Sequence, residues 1–223
     1  MSKIFLSGGG HANKTKKLDK LFEANIPEGM PMLYIPIAMP QKTLTFGQCY
    51  DWIKVVFPDV RIDMWTDLSS RKSEDLLQYG AVYFGGGNTY YLLYHICKTK
   101  FDKSLKRYYR SGGIMYGGSA GAIIMGKDIH TAGFGGDADR NEVGIKELDG
   151  LNLVNGYSVQ CHYTSADDKE LMNYSKKFKV SVIALPDDTG LVVDGKKMLV
   201  IGESNAVVFT KTSKVVYIPN STI

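Results

Sequence analysis

Three short apolar runs in the first half of the chain end abruptly in glycine, and this constrains the fold more than anything else in the sequence. Ile4-Phe5-Leu6-Ser7 runs into Gly8-Gly9-Gly10, and Ala81-Val82-Tyr83-Phe84 runs into Gly85-Gly86-Gly87-Asn88. Gly113-Ile114-Met115-Tyr116 enters Gly117-Gly118-Ser119-Ala120-Gly121. Such runs have the length of buried strands, and segments of helical period lie between them. That alternation specifies βαβ units and a mainly parallel sheet flanked by helices. In an open sheet of this kind the carboxyl ends of the strands share one crevice, so glycine turns from distant parts of the chain converge there.

Leu18, Leu21, Phe22 and Ile26 recur at helical spacing and predict an amphipathic helix stopped by Pro27 and Gly29. Residues 32–38 predict a buried strand interrupted at Pro36, and Tyr50, Trp52, Val55, Val56 and Phe57 a second helix closed by Pro58. A third strand is expected over 60–65, a short helix over 73–79, and helices around Leu92, Leu93 and Ile96 and over 101–110. From Lys127 to about Gly150 the periodicity dissolves into Gly, Asp and Asn, and a connection that long inside a domain is functional or mobile. The second half then turns strand-like at 157–161, 180–185, 190–193, 198–201, 207–210 and 215–218. The last four are spaced as antiparallel hairpins, and Asp194-Gly195 is a two-residue turn signal.

With 223 residues, 44% of them apolar and 22% charged, the chain buries about 70–75% of its unfolded surface and needs no disulfide or metal staple. A single α/β domain over 1–223 is the expectation. Its 27 basic and 23 acidic residues give a net charge of +4. The one basic cluster, Lys14, Lys16, Lys17 and Lys20, reads as the solvated face of a helix. Nucleic acid is not an expected partner, because no dense Lys/Arg stripe with aromatic platforms exists. Cys49, Cys97 and Cys161 are odd in number and far apart, which points to a reducing compartment and a cytoplasmic protein. The apolar start is too short for a signal peptide, and no apolar run approaches 18 residues, so membrane association is not expected.

Ser119 is the leading nucleophile candidate. In G-x-S-x-G the small neighbours let a strand-to-helix elbow close while the hydroxyl points outward, and the new helix leaves the Ala120 amide free to receive an oxyanion. A glycine amide of the second turn, that of Gly87, could supply a second donor from the same crevice. A plain turn with Asn88 as a helix N-cap fits those residues equally well locally, and Asn88 is also a candidate substrate contact. Among the four histidines, His162 ends a strand 43 residues after Ser119 and suits a base. His11 is a candidate substrate contact, His95 a packing residue, and His130 part of the long loop. The base needs an orienting carboxylate. Asp137, Asp139 and Glu142 in the loop compete with Asp187, and the rigid end of a strand favours Asp187. No paired Cys/His spacing, HExxH or phosphate-loop pattern appears, so neither metal nor nucleotide is expected and the chemistry needs no cofactor.

These residues together resemble the serine peptidase family of dipeptidase E and cyanophycinase. The resemblance is carried by YFGGGNTYYLL at 83–93, IMYGGSAGA at 114–122, His162-Tyr163, and ALPDDTGLVV at 184–193. It implies a class I glutamine amidotransferase-like fold, with a flavodoxin-like core and C-terminal antiparallel hairpins. It further implies Ser119 as nucleophile, His162 as base, and Gly87 and Ala120 as oxyanion donors. The family's acid is a Glu directly after Leu-Pro, where this chain has Asp187, one methylene shorter. An Asp in the loop between Ser and His has also been credited to the family, and Asp137 or Asp139 would match it. The arginines that follow the His in cyanophycinase-like members are missing from residues 163–169.

The expected activity is hydrolysis of short peptides, Asp-X dipeptides among them by family resemblance, through an acyl-enzyme. The assembly to be considered is a homodimer. Two rivals keep the same fold: a binding protein that holds a small acidic ligand without turnover, and an esterase or acyltransferase using the same serine.

Overall fold

The computed structural model describes residues 2–223. The glycine-ended runs become β1 (Lys3–Ser7), β4 (Ala81–Phe84) and β5 (Ile114–Gly118), joined by β2 (Met32–Ile35) and β3 (Ile62–Met64). These five are parallel, and β8 (Thr189–Asp194) and β9 (Lys197–Gly202) extend the sheet antiparallel, giving the order β3-β2-β4-β5-β1-β8-β9. Alternate residues supply its two faces. Phe5, Tyr34, Tyr83 and Tyr116 pack with Leu18 and Phe22 of α1 (Ala12–Glu23) and Ile53 of α2 (Phe46–Val56). Ile4, Leu6, Val82 and Phe84 face the other way, against α3 (Thr89–Lys98), α4 (Phe101–Arg110) and α5 (Ala120–Ile123). Burial on both faces explains why these strands read as unbroken apolar runs.

The strand-like segments of the second half divide between two sheets. Beside the seven-stranded sheet stands a four-stranded one, ordered β11-β10-β7-β6. It contains β6 (Ser158–Gln160), β7 (Val182–Ala184), β10 (Ala206–Phe209) and β11 (Lys214–Tyr217), and is backed by α6 (Asp168–Phe178). The hairpins β8–β9 and β10–β11 are antiparallel as expected, whereas β6 and β7 pair in parallel. Ile183 and Val208 carry the second sheet into the same apolar cluster as Ile4 and Leu6. The sheets meet at a tight seam. Gly8 donates its N–H to the Thr189 carbonyl at 2.9 Å and accepts from His162 N–H at 2.7 Å. A Cβ on Gly8 would stand 2.1 Å from the Pro186 carbonyl oxygen, so only glycine permits this approach.

Several boundaries differ from the sequence reading for local reasons. Helix α2 begins at Phe46, earlier than its apolar residues indicate, because Thr45 and Gln48 form a reciprocal capping box. Residues 74–78 make a 3-10 turn rather than an α-helix. The β8–β9 register closes on Asp194 opposite Lys197, so the turn is Gly195-Lys196, with Gly195 at φ 60° in its first position. The long segment 127–150 is largely irregular but pinned. The buried Asp128 carboxylate accepts from the Tyr174 hydroxyl at 2.6 Å, and Ile129 N–H reaches the Leu148 carbonyl at 2.9 Å. No helix is long and apolar enough to cross a membrane among the described residues.

Candidate active site

Five chain segments converge at the carboxyl ends of the strands. Ser119 sits between β5 and α5 with φ 48° and ψ −110°, a strained conformation for a residue with a side chain. Its N–H donates to Ser7 O at 3.1 Å, and its own carbonyl accepts from Ala122 and Ile123. The flanking glycines are there for contact: a Cβ on Gly117 would stand 2.4 Å from the Gly121 carbonyl, and one on Gly121 would stand 2.5 Å from Phe84 O. The elbow therefore closes tightly and leaves the hydroxyl facing the crevice.

His162 follows β6, also at positive φ (53°), and its backbone is held by Gly8. Its Nε2 lies 2.8 Å from Ser119 Oγ, and its Nδ1 lies 2.8 Å from Asp187 Oδ1. A carboxylate only accepts, so the hydrogen bonds assign Nδ1–H as donor to Asp187 and leave Nε2 to accept from the serine hydroxyl. The other Asp187 oxygen accepts from Lys14 Nζ at 3.1 Å. Desolvation pushes the Asp187 carboxyl upward, but the hydrogen bonds and charges of His162 and Lys14 outweigh it and hold the group below the ordinary carboxylate range. The short side chain spans the distance because Asp187 follows directly on the Gly8–Pro186 crossing.

Gly87 and Ala120 present amide N–H groups beside Ser119, and neither donates a hydrogen bond among the described residues. Gly87 has φ 136°, and a Cβ there would stand 2.3 Å from Ala38 O. A side chain at residue 87 would thus force the amide out of position.

Two cavities open on either side of the Ser119–His162 pair. One, of about 190 Å³, is walled by Thr131, Phe134, Gly135, Asp137, Asp139 and Gln160. Its side-chain carboxylates are those of Asp137 and Asp139, while the Oε1 of Gln160 is buried without a hydrogen-bond partner. Burial raises the Asp139 carboxyl above its usual range, opposed by hydrogen bonds from Thr89 and the charge of His162. Asp139 Oδ2 accepts from Thr89 N–H at 2.8 Å, at the start of α3, while Asp187 holds the His162 Nδ1 position. Asp137 is exposed on the cavity wall, and Glu142 lies outside it, 4.0 Å from Lys42 Nζ.

The second cavity, of about 460 Å³, includes Tyr34, Met39, Leu44, Trp52, Tyr83 and Tyr116 among its walls, with His11 exposed alongside. No spacing in the sequence marks this aromatic wall. Tyr34, Tyr83 and Tyr116 are register partners across β2, β4 and β5, close to the Pro or Gly that ends each run. Lys14, in sequence one of four lysines on a solvated helix face, reaches Asp187.

Asn88 caps α3, accepting from Tyr91 N–H at 2.9 Å and donating to Arg140 O at 2.9 Å. Its amide is thereby occupied, and it lines neither cavity. His95 packs against Tyr91 and Tyr94, and His130 against Tyr174 and Phe178. Cys161 is buried beside His162, and burial pushes its thiol up, away from thiolate chemistry. No group of His, Cys, Asp and Glu able to hold a metal occurs among the described residues.

An uncharacterized peptidase of Listeria monocytogenes is 27% identical over 158 residues, covering 67% of this chain and 73% of its own. A protein named peptidase E from Nostoc is 25% identical over 190 residues, covering 79% of this chain and 74% of its own. The crystal structure of a peptidase from an acI-B1 actinobacterium superposes with a TM-score of 0.73 at 17% identity, over 100% of this chain and 96% of that one, and shares the fold. The model of peptidase family S51 matches residues 4–201, the segment that holds Ser119, His162 and Asp187. The chain therefore belongs to peptidase family S51 and is a serine-type peptidase.

Proposed function

We propose that this peptidase hydrolyses short peptides through a Ser119–His162–Asp187 triad and an acyl-enzyme. One observation carries the reading: an unbroken hydrogen-bond chain runs from the serine hydroxyl through both imidazole nitrogens to a carboxylate, with 2.8 Å at each link. Ser119 Oγ attacks the scissile carbonyl carbon while its proton passes to His162 Nε2. The carbonyl oxygen becomes an oxyanion between the amides of Gly87 and Ala120, which are free to donate to it. The tetrahedral species collapses by breaking the C–N bond, and the departing amine takes the proton from His162. Water, deprotonated by the same nitrogen, then cleaves the ester. Asp187 keeps its charge throughout, fixing the tautomer and stabilising the imidazolium.

Asp139 has a different part in this reading. Its carboxylate, with that of Asp137, gives the smaller cavity a preference for N–H donors such as an α-ammonium group. A cavity of about 190 Å³ also restricts what extends beyond the reacting residue, in favour of short substrates. The test is digestion of a mixed dipeptide and isopeptide library, read by mass spectrometry, with wild type beside Ser119→Ala. Cleavage lost in the variant is expected. Turnover within tenfold of wild type would sink the nucleophile assignment. Cleavage of activated esters alone would favour an acyltransferase.

A further inference from the structure

The larger cavity differs in chemistry from the smaller one. Its floor is the row Tyr34–Tyr83–Tyr116, with exposures of 3%, 4% and 1%. The ring centroids are 5.7 Å apart for the first pair and 4.4 Å, stacked, for the second. Burial raises all three phenols above their usual range, so they stay neutral. At the rim stand Trp52 and Leu44, large apolar side chains left 40% and 37% exposed, with Trp52 edge-on to Tyr83 at 6.4 Å. No lysine or arginine lines either cavity. Behind the floor, the Tyr116 hydroxyl donates to the buried Asp19 carboxyl at 2.7 Å, which adds negative rather than positive character. A substrate carboxylate would find no lysine or arginine on these walls, only the imidazoles of His11 and His162. A volume of about 460 Å³ open to Ser119 and His162 accommodates a large side chain next to the reacting carbonyl.

We propose that this cavity is the subsite for a large apolar, preferentially aromatic, side chain on a residue adjoining the scissile bond, and that acidic side chains are disfavoured in both cavities. The proposal rests on Ser119 and His162 being the reacting pair. Desolvating such a side chain on the tyrosine floor is worth roughly ten- to hundredfold in kcat/KM over glycine. Trp52 and Leu44 are the specificity-determining residues at the entrance, and the hydroxyls of Tyr34 and Tyr83 can meet the polar edge of a tyrosine or tryptophan.

The test measures kcat/KM for dipeptides in which each position in turn is Gly, Leu, Phe, Trp, Asp or Lys. Wild type is compared with Trp52→Ala and Leu44→Ala, two substitutions at half-exposed positions. We expect Phe or Trp to exceed Asp at least tenfold at one position, and the Phe/Gly ratio to fall about tenfold in Trp52→Ala, chiefly through KM. An Asp peptide cleaved best, or a Phe/Gly ratio unchanged in both variants, would overturn the proposal. Binding of the same dipeptides to Ser119→Ala, read by calorimetry, separates the two ideas. Aromatic-selective binding that is weakened by Trp52→Ala upholds the subsite even if Ser119 proves not to be the nucleophile. Absence of that selectivity overturns the subsite even if Ser119 proves essential.

Discussion

The imidazole of His162 occupies the space that a side chain on Gly9 would need: a Cβ at residue 9 would stand 2.1 Å from its Cε1 and 2.5 Å from its Nδ1. The first glycine turn is thus a seat for the His162 ring, cut into the end of β1. Gly9→Ala must push the ring aside, and φ 125° at that residue adds backbone strain. A displacement near 1 Å costs on the order of a hundredfold in rate. We expect kcat to fall at least that far in a protein whose circular dichroism is still that of the native fold.

Asp187 and Asp139 separate cleanly by substitution. Asp187→Asn removes the acceptor for Nδ1–H and favours the wrong tautomer, a change that costs about 10⁴ in kcat. Asp139→Asn leaves the His162 contacts intact and loses a charge at the first turn of α3 and in the smaller cavity. Its effect should fall on KM, with kcat kept within about tenfold. Steady-state kinetics on the two variants decides between them.

Lys14 bonds the second oxygen of Asp187 from 173 residues away, in a pair whose side chains are 47% and 37% exposed. Pairs this wet are worth about 0–1 kcal/mol. Lys14→Met should lower kcat no more than about fivefold, and Lys14→Arg should restore it. The gap between wild type and Lys14→Met should close in about 0.5 M salt, where the Debye length is only a few Å.

Asp19 gives the fold a pH dependence of its own. Burial raises its carboxyl from 3.8 to about 6, against the opposing hydrogen bonds from Thr15 and Tyr116. Between those values the folded state binds a proton that the unfolded state has released. This contribution is fully present below pH 4 and is lost as pH rises through 6, by about 3 kcal/mol at most. Asp19→Asn should flatten that part of the stability curve in urea titrations from pH 4 to 7.5 and should be the more stable protein at the upper end.

The parallel half of the fold could be read from the sequence because apolar runs that stop at glycine leave few alternatives. Ser119, His162 and Asp187 stand out in the sequence because each follows a strand, Ser119 after β5, His162 after β6, Asp187 after β7. The division of β6–β11 between two sheets could not be read, since a run such as 182–184 carries no mark of which strand it will pair with. The tyrosine row was hidden for the same reason. Tyr34, Tyr83 and Tyr116 become neighbours only through register, and register is a property of the assembled sheet. Lys14 belongs to a helix whose charges look alike in sequence, and only the packing of α1 against β8 and β9 selects one of them.

The seam at Gly8 has a further consequence. Ser119 and the two free amides ride on the seven-stranded sheet, while His162 and Asp187 are mounted at the ends of strands in the other. The Ser119–His162 hydrogen bond is therefore a gauge of how well the two sheets keep their alignment. Loosening of that joint by a fraction of an ångström would silence the enzyme while both sheets remained intact, so catalysis should fail on warming several degrees before the cooperative melt.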